Sequence, residues 1–237
     1  MNTGTLDIRR SRERFATRNL WLDSKHSFSF GPHYDPENTH FGLLVVSNDD
    51  VVRPGTGFQT HPHRDMEIVT WVLDGELEHK DSTGNRGIIV PGLAQRMTAG
   101  RGIFHSEMNP SGEKPVHFIQ MWVLPDTERL DPGYEEKEIA TDLDRGGLFP
   151  IASGTGHEGA IRIRQKHATL WGARVKPGES IHLPDAPAAH LYIANGPVLL
   201  EGGGQLETGD AVRMSRAGDR KLTAPERAEI LLWQFND

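Results

Sequence analysis

Cysteine is absent from the 237-residue chain. That excludes disulfides, thiolate nucleophiles and zinc–thiolate clusters. Long apolar runs are also missing. No stretch approaches the roughly 18–20 consecutive apolar residues of a membrane span. The opening Met1-Asn2-Thr3-Gly4-Thr5-Leu6-Asp7 is polar and lacks the apolar core of a signal peptide. The expectation is a cytoplasmic protein without a membrane partner. Clustered cations are scarce too. The formal net charge is −7 and no Lys/Arg run forms a basic stripe, so direct nucleic-acid binding is not expected. Amphipathic helices are few, and only 9–15 and 125–130 read as a helical turn or two.

What is present is β-structure and its punctuation. The 26 glycines and 15 prolines recur every few residues, and short runs rich in β-branched and aromatic residues lie between them. Such runs are 41–46, 67–73, 87–90, 116–123, 161–164, 169–175, 191–194 and 230–235. Short, closely spaced strands with turn signals between them predict a sandwich or barrel. The length suits two domains of about 100–120 residues. A polar break across 125–160 puts the boundary near 140–148, giving an N-terminal domain of 1–140 and a C-terminal domain of 146–237.

Eight of the 12 histidines precede residue 120, and two local patterns stand out. His61-Pro62-His63 places two imidazoles at i and i+2, on one face if the segment is extended. Pro62 cannot donate a ladder hydrogen bond, so it belongs at a strand start, an edge or a bulge. His105-Ser106-Glu107 repeats the i, i+2 spacing with an imidazole and a carboxylate. Two such strands facing inward would gather His61, His63, His105 and Glu107 into a four-ligand N/O set. That set suits Fe(II), Mn(II), Ni(II), Cu(II) or Zn(II) and leaves two octahedral positions open.

At these residues the chain resembles the cupin superfamily. Its first motif is matched by Gly55, His61, His63, Glu67 and Gly75, with one extra residue before the last Gly, and its second by Gly102, His105 and Asn109. The segments THPHRDME (60–67), MTAGRGIFHSEMN (97–109) and WLDSKHSFSF (21–30) resemble the pirin family of bicupins, especially bacterial members with quercetin dioxygenase activity. The resemblance is detailed in the N-terminal half and architectural in the C-terminal half.

It implies an all-β protein of two tandem cupin barrels, the N-terminal one carrying the metal and the C-terminal one degenerate and metal-free. By the pirin pattern the ligands are His61, His63, His105 and Glu107, with Glu67 structural, although in many other cupins the first-motif Glu is the ligand. The C-terminal His157, His167, His182 and His190 form no such pair, and no second metal is expected. His26 and His33, in the 21–30 segment and just after it, could lie near the pocket.

The resemblance further implies one divalent ion per chain, Fe(II) first, with Ni, Mn, Cu, Co and Zn also suited. The implied reaction opens the central ring of flavonols such as quercetin with O2 and releases CO. Glu107 is expected as general base as well as ligand, and Met97, Phe104 and Trp122 as apolar pocket walls. Two other readings stand beside it, an iron-dependent transcriptional co-regulator working through a protein partner and another small-molecule cupin enzyme. The family leans to monomers.

Overall fold

The structure is a computed structural model that describes residues 4–236. Four sheets form two barrels, each built from a seven-stranded and a four-stranded sheet. The larger sheet of the first barrel runs, in spatial order, Gly133–Glu138, Leu93–Thr98, Glu67–Asp74, Val116–Val123, Leu44–Val52, Leu22–His26 and Phe15–Arg18. Its smaller sheet runs Gly57–His63, Ile103–Met108, Leu77–Asp81 and Arg86–Ile89. The second barrel repeats the plan around Ala188–Asn195, Ala228–Phe235 and Ala168–Val175. The tandem all-β barrels expected from the sequence are therefore present.

The central strands carry apolar residues at successive positions because both faces are covered. In Val116–Val123, Phe118, Gln120 and Trp122 point into the first barrel. Ile119, Met121 and Val123 point the other way, into a core shared with Ile151, Leu170, Leu231, Trp233 and Phe235 of the second. The large sheets thus pack on each other.

The two barrel interiors differ. The second is filled by one cluster of aliphatic side chains, among them Leu183, Leu191, Ile193, Val212, Leu222 and Leu232. The first splits into two smaller apolar clusters, one around Val52, Leu77, Val116 and Phe118, the other around Ile68, Met97 and Ile103. Buried polar residues lie on the same strands, including Asn48, His79, His105, Glu107 and Gln120. An apolar filling holds a barrel together without further help. A polar belt must be hydrogen-bonded or bind something.

Three local expectations need correction. Residues 125–130 form bends and no helix, because the segment bonds across the chain: Asp126 N–H donates to Arg164 O, and Leu130 O accepts from Arg101 N–H. Residues 9–15 keep only a 3-10 turn, Ser11–Glu13, since the flanking residues are drawn into two different sheets. The α-helical turn that does form, Ala140–Asp144, was not foreseen. In addition, the strand Thr5–Arg9, N-terminal in sequence, pairs with Ala211–Ser215 at the edge of the second barrel's large sheet. No helix among the described residues is long and apolar enough to cross a membrane.

Candidate metal centre

The strand Gly57–His63 is an edge strand, as Pro62 requires, and pairs antiparallel with Ile103–Met108. The register sets His105 opposite His61 and Ile103 opposite His63. A bulge between His105 and Glu107 brings Glu107 opposite Phe58. Strand alternation turns His61, His63, His105 and Glu107 inward and Phe104 outward.

The three imidazoles converge. Their ring centroids lie 4.5 Å (His61–His105), 4.8 Å (His61–His63) and 4.9 Å (His63–His105) apart, and one ring nitrogen from each lies within 4.8 Å of the others. Nε2 of His63 and Nε2 of His105 are buried with no hydrogen-bond partner. His61 donates from Nδ1 to the carbonyl oxygen of Gln59 at 2.7 Å, which leaves its Nε2 as the lone-pair nitrogen. Burial, reinforced by the neighbouring imidazoles, lowers His63 to about 4 and His105 to about 3. Both rings are thus neutral at pH 7, the form that binds a metal. Orphaned, neutral, convergent nitrogens fit a divalent cation.

Glu107 completes the arrangement on one side. Its oxygen lies within 4.8 Å of the ligand atoms of His105 and His79. Gln120 Nε2 donates to both carboxylate oxygens at 2.8 and 2.7 Å, and the Gln120 carbonyl accepts from Trp122 Nε1 at 3.1 Å, so the amide orientation is fixed. Behind His105, its Nδ1 meets His79 Nδ1 at 3.5 Å, and His79 Nε2 meets Asp81 Oδ2 at 3.4 Å. One tautomer set satisfies the chain: His105 Nδ1–H donates to His79, and His79 Nε2–H donates to Asp81. His79 lies against Tyr134 at 5.0 Å.

The centre opens onto a cavity of about 240 Å³. Phe30, Trp122, Phe58 and Leu22 line it, with His26, Asn48 and Asp50 along one wall.

Two family descriptions match the chain, Pirin over residues 8–123 and a quercetinase C-terminal cupin domain over residues 150–234. The Escherichia coli K12 quercetin 2,3-dioxygenase is 36% identical, covering 96% of this chain and 97% of its own. A Mycobacterium tuberculosis protein, named provisionally for the same activity, is 55% identical over 99% of this chain and 96% of its own. The crystal structure of the bacterial pirin YhhW from E. coli in complex with nickel(II) superposes with a TM-score of 0.91 at 33% identity, covering 98% and 99% of the two chains. The chain belongs to the pirin family.

In this pirin the sequence-derived residues fall into three groups. His61, His63 and His105 come together, with Glu107 beside His105. Trp122 lines the cavity, 4.7 Å from His63 between ring centroids. Met97 and Phe104 do not line it. Met97 is fully buried with Ile68, Ala99 and Ile103, and Phe104 is 54% exposed on the outer face of its strand. Glu67 lies apart from the imidazoles, accepting from Thr98 Oγ1 and from Arg164 N–H at 3.0 Å each, a structural position. His26 does line the cavity, and His33 reaches it indirectly: His33 Nε2 meets Thr17 Oγ1 at 3.0 Å, and Thr17 Oγ1 meets His26 Nε2 at 2.9 Å.

Sequence reasoning missed Gln120, His79, Asp81 and Asp50. Gln120 had left a trace, as a polar residue inside the otherwise apolar run 118–123.

Proposed function

We propose that this pirin is a metal-dependent dioxygenase that opens the central ring of flavonols such as quercetin with O2 and releases CO. The observation that carries the reading is the cluster of three convergent imidazoles, two with orphaned Nε2 atoms, at the edge of an aromatic-lined cavity. The names of its relatives agree with it.

His61, His63 and His105 hold the cation, and Glu107 serves as fourth ligand and proton acceptor. Fe(II) is the proposed ion, and the same donor set accepts Ni, Mn, Cu, Co or Zn. When bound, a divalent cation supplies Lewis acidity that stabilises the anion of the flavonol's enol-type hydroxyl. Glu107 then takes the hydroxyl proton on a carboxylate oxygen. Gln120 holds that carboxylate through one donor and leaves further lone pairs free. Trp122, Phe30, Phe58 and Leu22 flank the flat rings and exclude water, which strengthens each polar contact in the site. Through Asp81, His79 keeps His105 in the tautomer that presents Nε2.

The test is direct. Iron-loaded protein is incubated with quercetin in air while flavonol absorbance and CO are followed. Loss of absorbance with CO release supports the reading. Absence of turnover with every divalent ion tried removes it, and turnover surviving in His105→Ala removes the assigned centre.

A further inference from the structure

The part of the cavity lining that carries Thr17, His26, Asn48 and Asp50 is polar, and nearly all of it is internally satisfied. His26 Nδ1 meets Asn48 Oδ1 at 2.9 Å, and the Thr17 hydroxyl bridges His26 and His33. Among the described cavity-lining residues, two side chains carry a buried polar atom with no partner: His63 Nε2 and Asp50 Oδ1. The first belongs to the metal cluster. The second does not.

Asp50 is 2% exposed and sits on Leu44–Val52, opposite Ser24 on one side and Phe118 on the other. Its Oδ1 is buried without a hydrogen-bond partner. Asn48, the preceding inward residue, lies opposite Gln120. Asp50 is therefore displaced by two residues, roughly 7 Å along the strand, from the level at which Gln120 grips Glu107. Leu22 and Phe58 line the same cavity. A buried carboxyl oxygen costs free energy unless a ligand or water meets it.

We infer that Asp50 is a specificity residue that hydrogen-bonds an aromatic hydroxyl of the bound substrate other than the one directed at the imidazoles. The substrate class is then a planar aromatic with more than one hydroxyl. Burial, with Asp49 and Glu107 nearby, pushes Asp50 up to about 7. Near neutrality its carboxyl can thus accept or donate, and a hydroxyl is the partner able to answer either role. The inference deepens the flavonol reading and rests on it for the orientation of the ligand.

The test compares binding of matched probes to the metal-loaded full chain by quenching of tryptophan fluorescence. One pair is quercetin and 3-hydroxyflavone, which lacks the other hydroxyls. The other is 2-naphthol and naphthalene. Wild type is expected to favour the hydroxylated member of each pair by about tenfold, the size of one well-formed buried hydrogen bond. Asp50→Leu is expected to bring the ratio to within about twofold with little change for the hydroxyl-free probe, and Asp50→Asn, which keeps an acceptor, to retain part of it. Should Asp50→Leu fail to fold, Asp50→Ala serves the same readout.

A preference that survives loss of the carboxyl, or no preference in either pair in wild type, overturns the inference. If neither flavonol binds yet 2-naphthol is favoured in an Asp50-dependent way, the flavonol reading falls and the role of Asp50 stands.

Discussion

At the residue scale, the centre depends on what surrounds the imidazoles as much as on the imidazoles themselves. His105 is desolvated, neutral and backed by His79 and Asp81. His105→Ala should therefore abolish tight metal binding while leaving the metal-free fold intact, measured as metal content after dialysis alongside circular dichroism. A metal-free His105→Ala that unfolds where wild type does not would mean that the ring is a packing element first. Gln120→Leu removes the grip on Glu107 and is expected to lower metal affinity or turnover by about 10–100-fold, the usual cost of losing such support. Unchanged affinity and turnover would make Gln120 incidental. Glu107→Gln should fold and lose most turnover; full retained turnover would remove Glu107 as the base. The convergence of His61, His63 and His105 was legible because i, i+2 spacing is a local signal. His79, Asp81, Asp50 and Gln120 were not, because their roles depend on pairing between distant strands. The register of Asn48 opposite Gln120 is one such pairing, and the chain does not announce it.

At the scale of elements, the strand that carries His61 and His63 is an edge strand that Pro62 can occupy at no cost in ladder bonds. Here the sequence reading and the structure meet. They part at Thr5–Arg9, an N-terminal strand that completes the C-terminal sheet. Its alternation is only partly apolar, with Leu6 and Ile8 packing against the second barrel's core from a half-exposed position, so no local pattern declares its partner. Removing both side chains in Leu6→Ala/Ile8→Ala should destabilise the protein by about 1–3 kcal/mol, below the range for fully buried aliphatics. Metal content should not change. A urea titration with parallel metal analysis checks both, and a loss of metal without a loss of stability would contradict the assignment of this strand to the second barrel alone.

At the scale of the whole molecule, the two barrels share a core and a set of polar bonds. Trp71 Nε1 donates to Glu229 Oε1 at 2.7 Å, and Tyr192 OH donates to Asp49 Oδ2 at 2.6 Å. Asp49 also meets Arg14 and His117. Burial alone would raise its carboxyl, but these partners outweigh that and hold it at about 2. His190 lies in the same region, tilted against Phe28 of the first barrel at 5.8 Å, with Arg213 over the Phe28 ring. Its Nε2 is buried without a partner. Burial, then Arg213 and Arg14, lower it from 6.5 to about 3. A histidine held neutral in the fold binds its proton earlier in the unfolded chain. Stability is therefore complete above pH 6.5 and declines as pH falls from 6.5 toward 3. Within that window one such group contributes a slope of roughly 1.4 kcal/mol per pH unit. His63 and His105 add slopes of the same sign in metal-free protein, so they remain as background in both chains to be compared. Metal-free His190→Leu should thus show a shallower decline than metal-free wild type between pH 6.5 and 4.5, by about one proton's worth. Urea midpoints taken at half-unit steps give the two slopes. Parallel slopes would mean that His190 takes up its proton as readily in the fold as in the unfolded chain, against its burial at 1% exposure between the barrels.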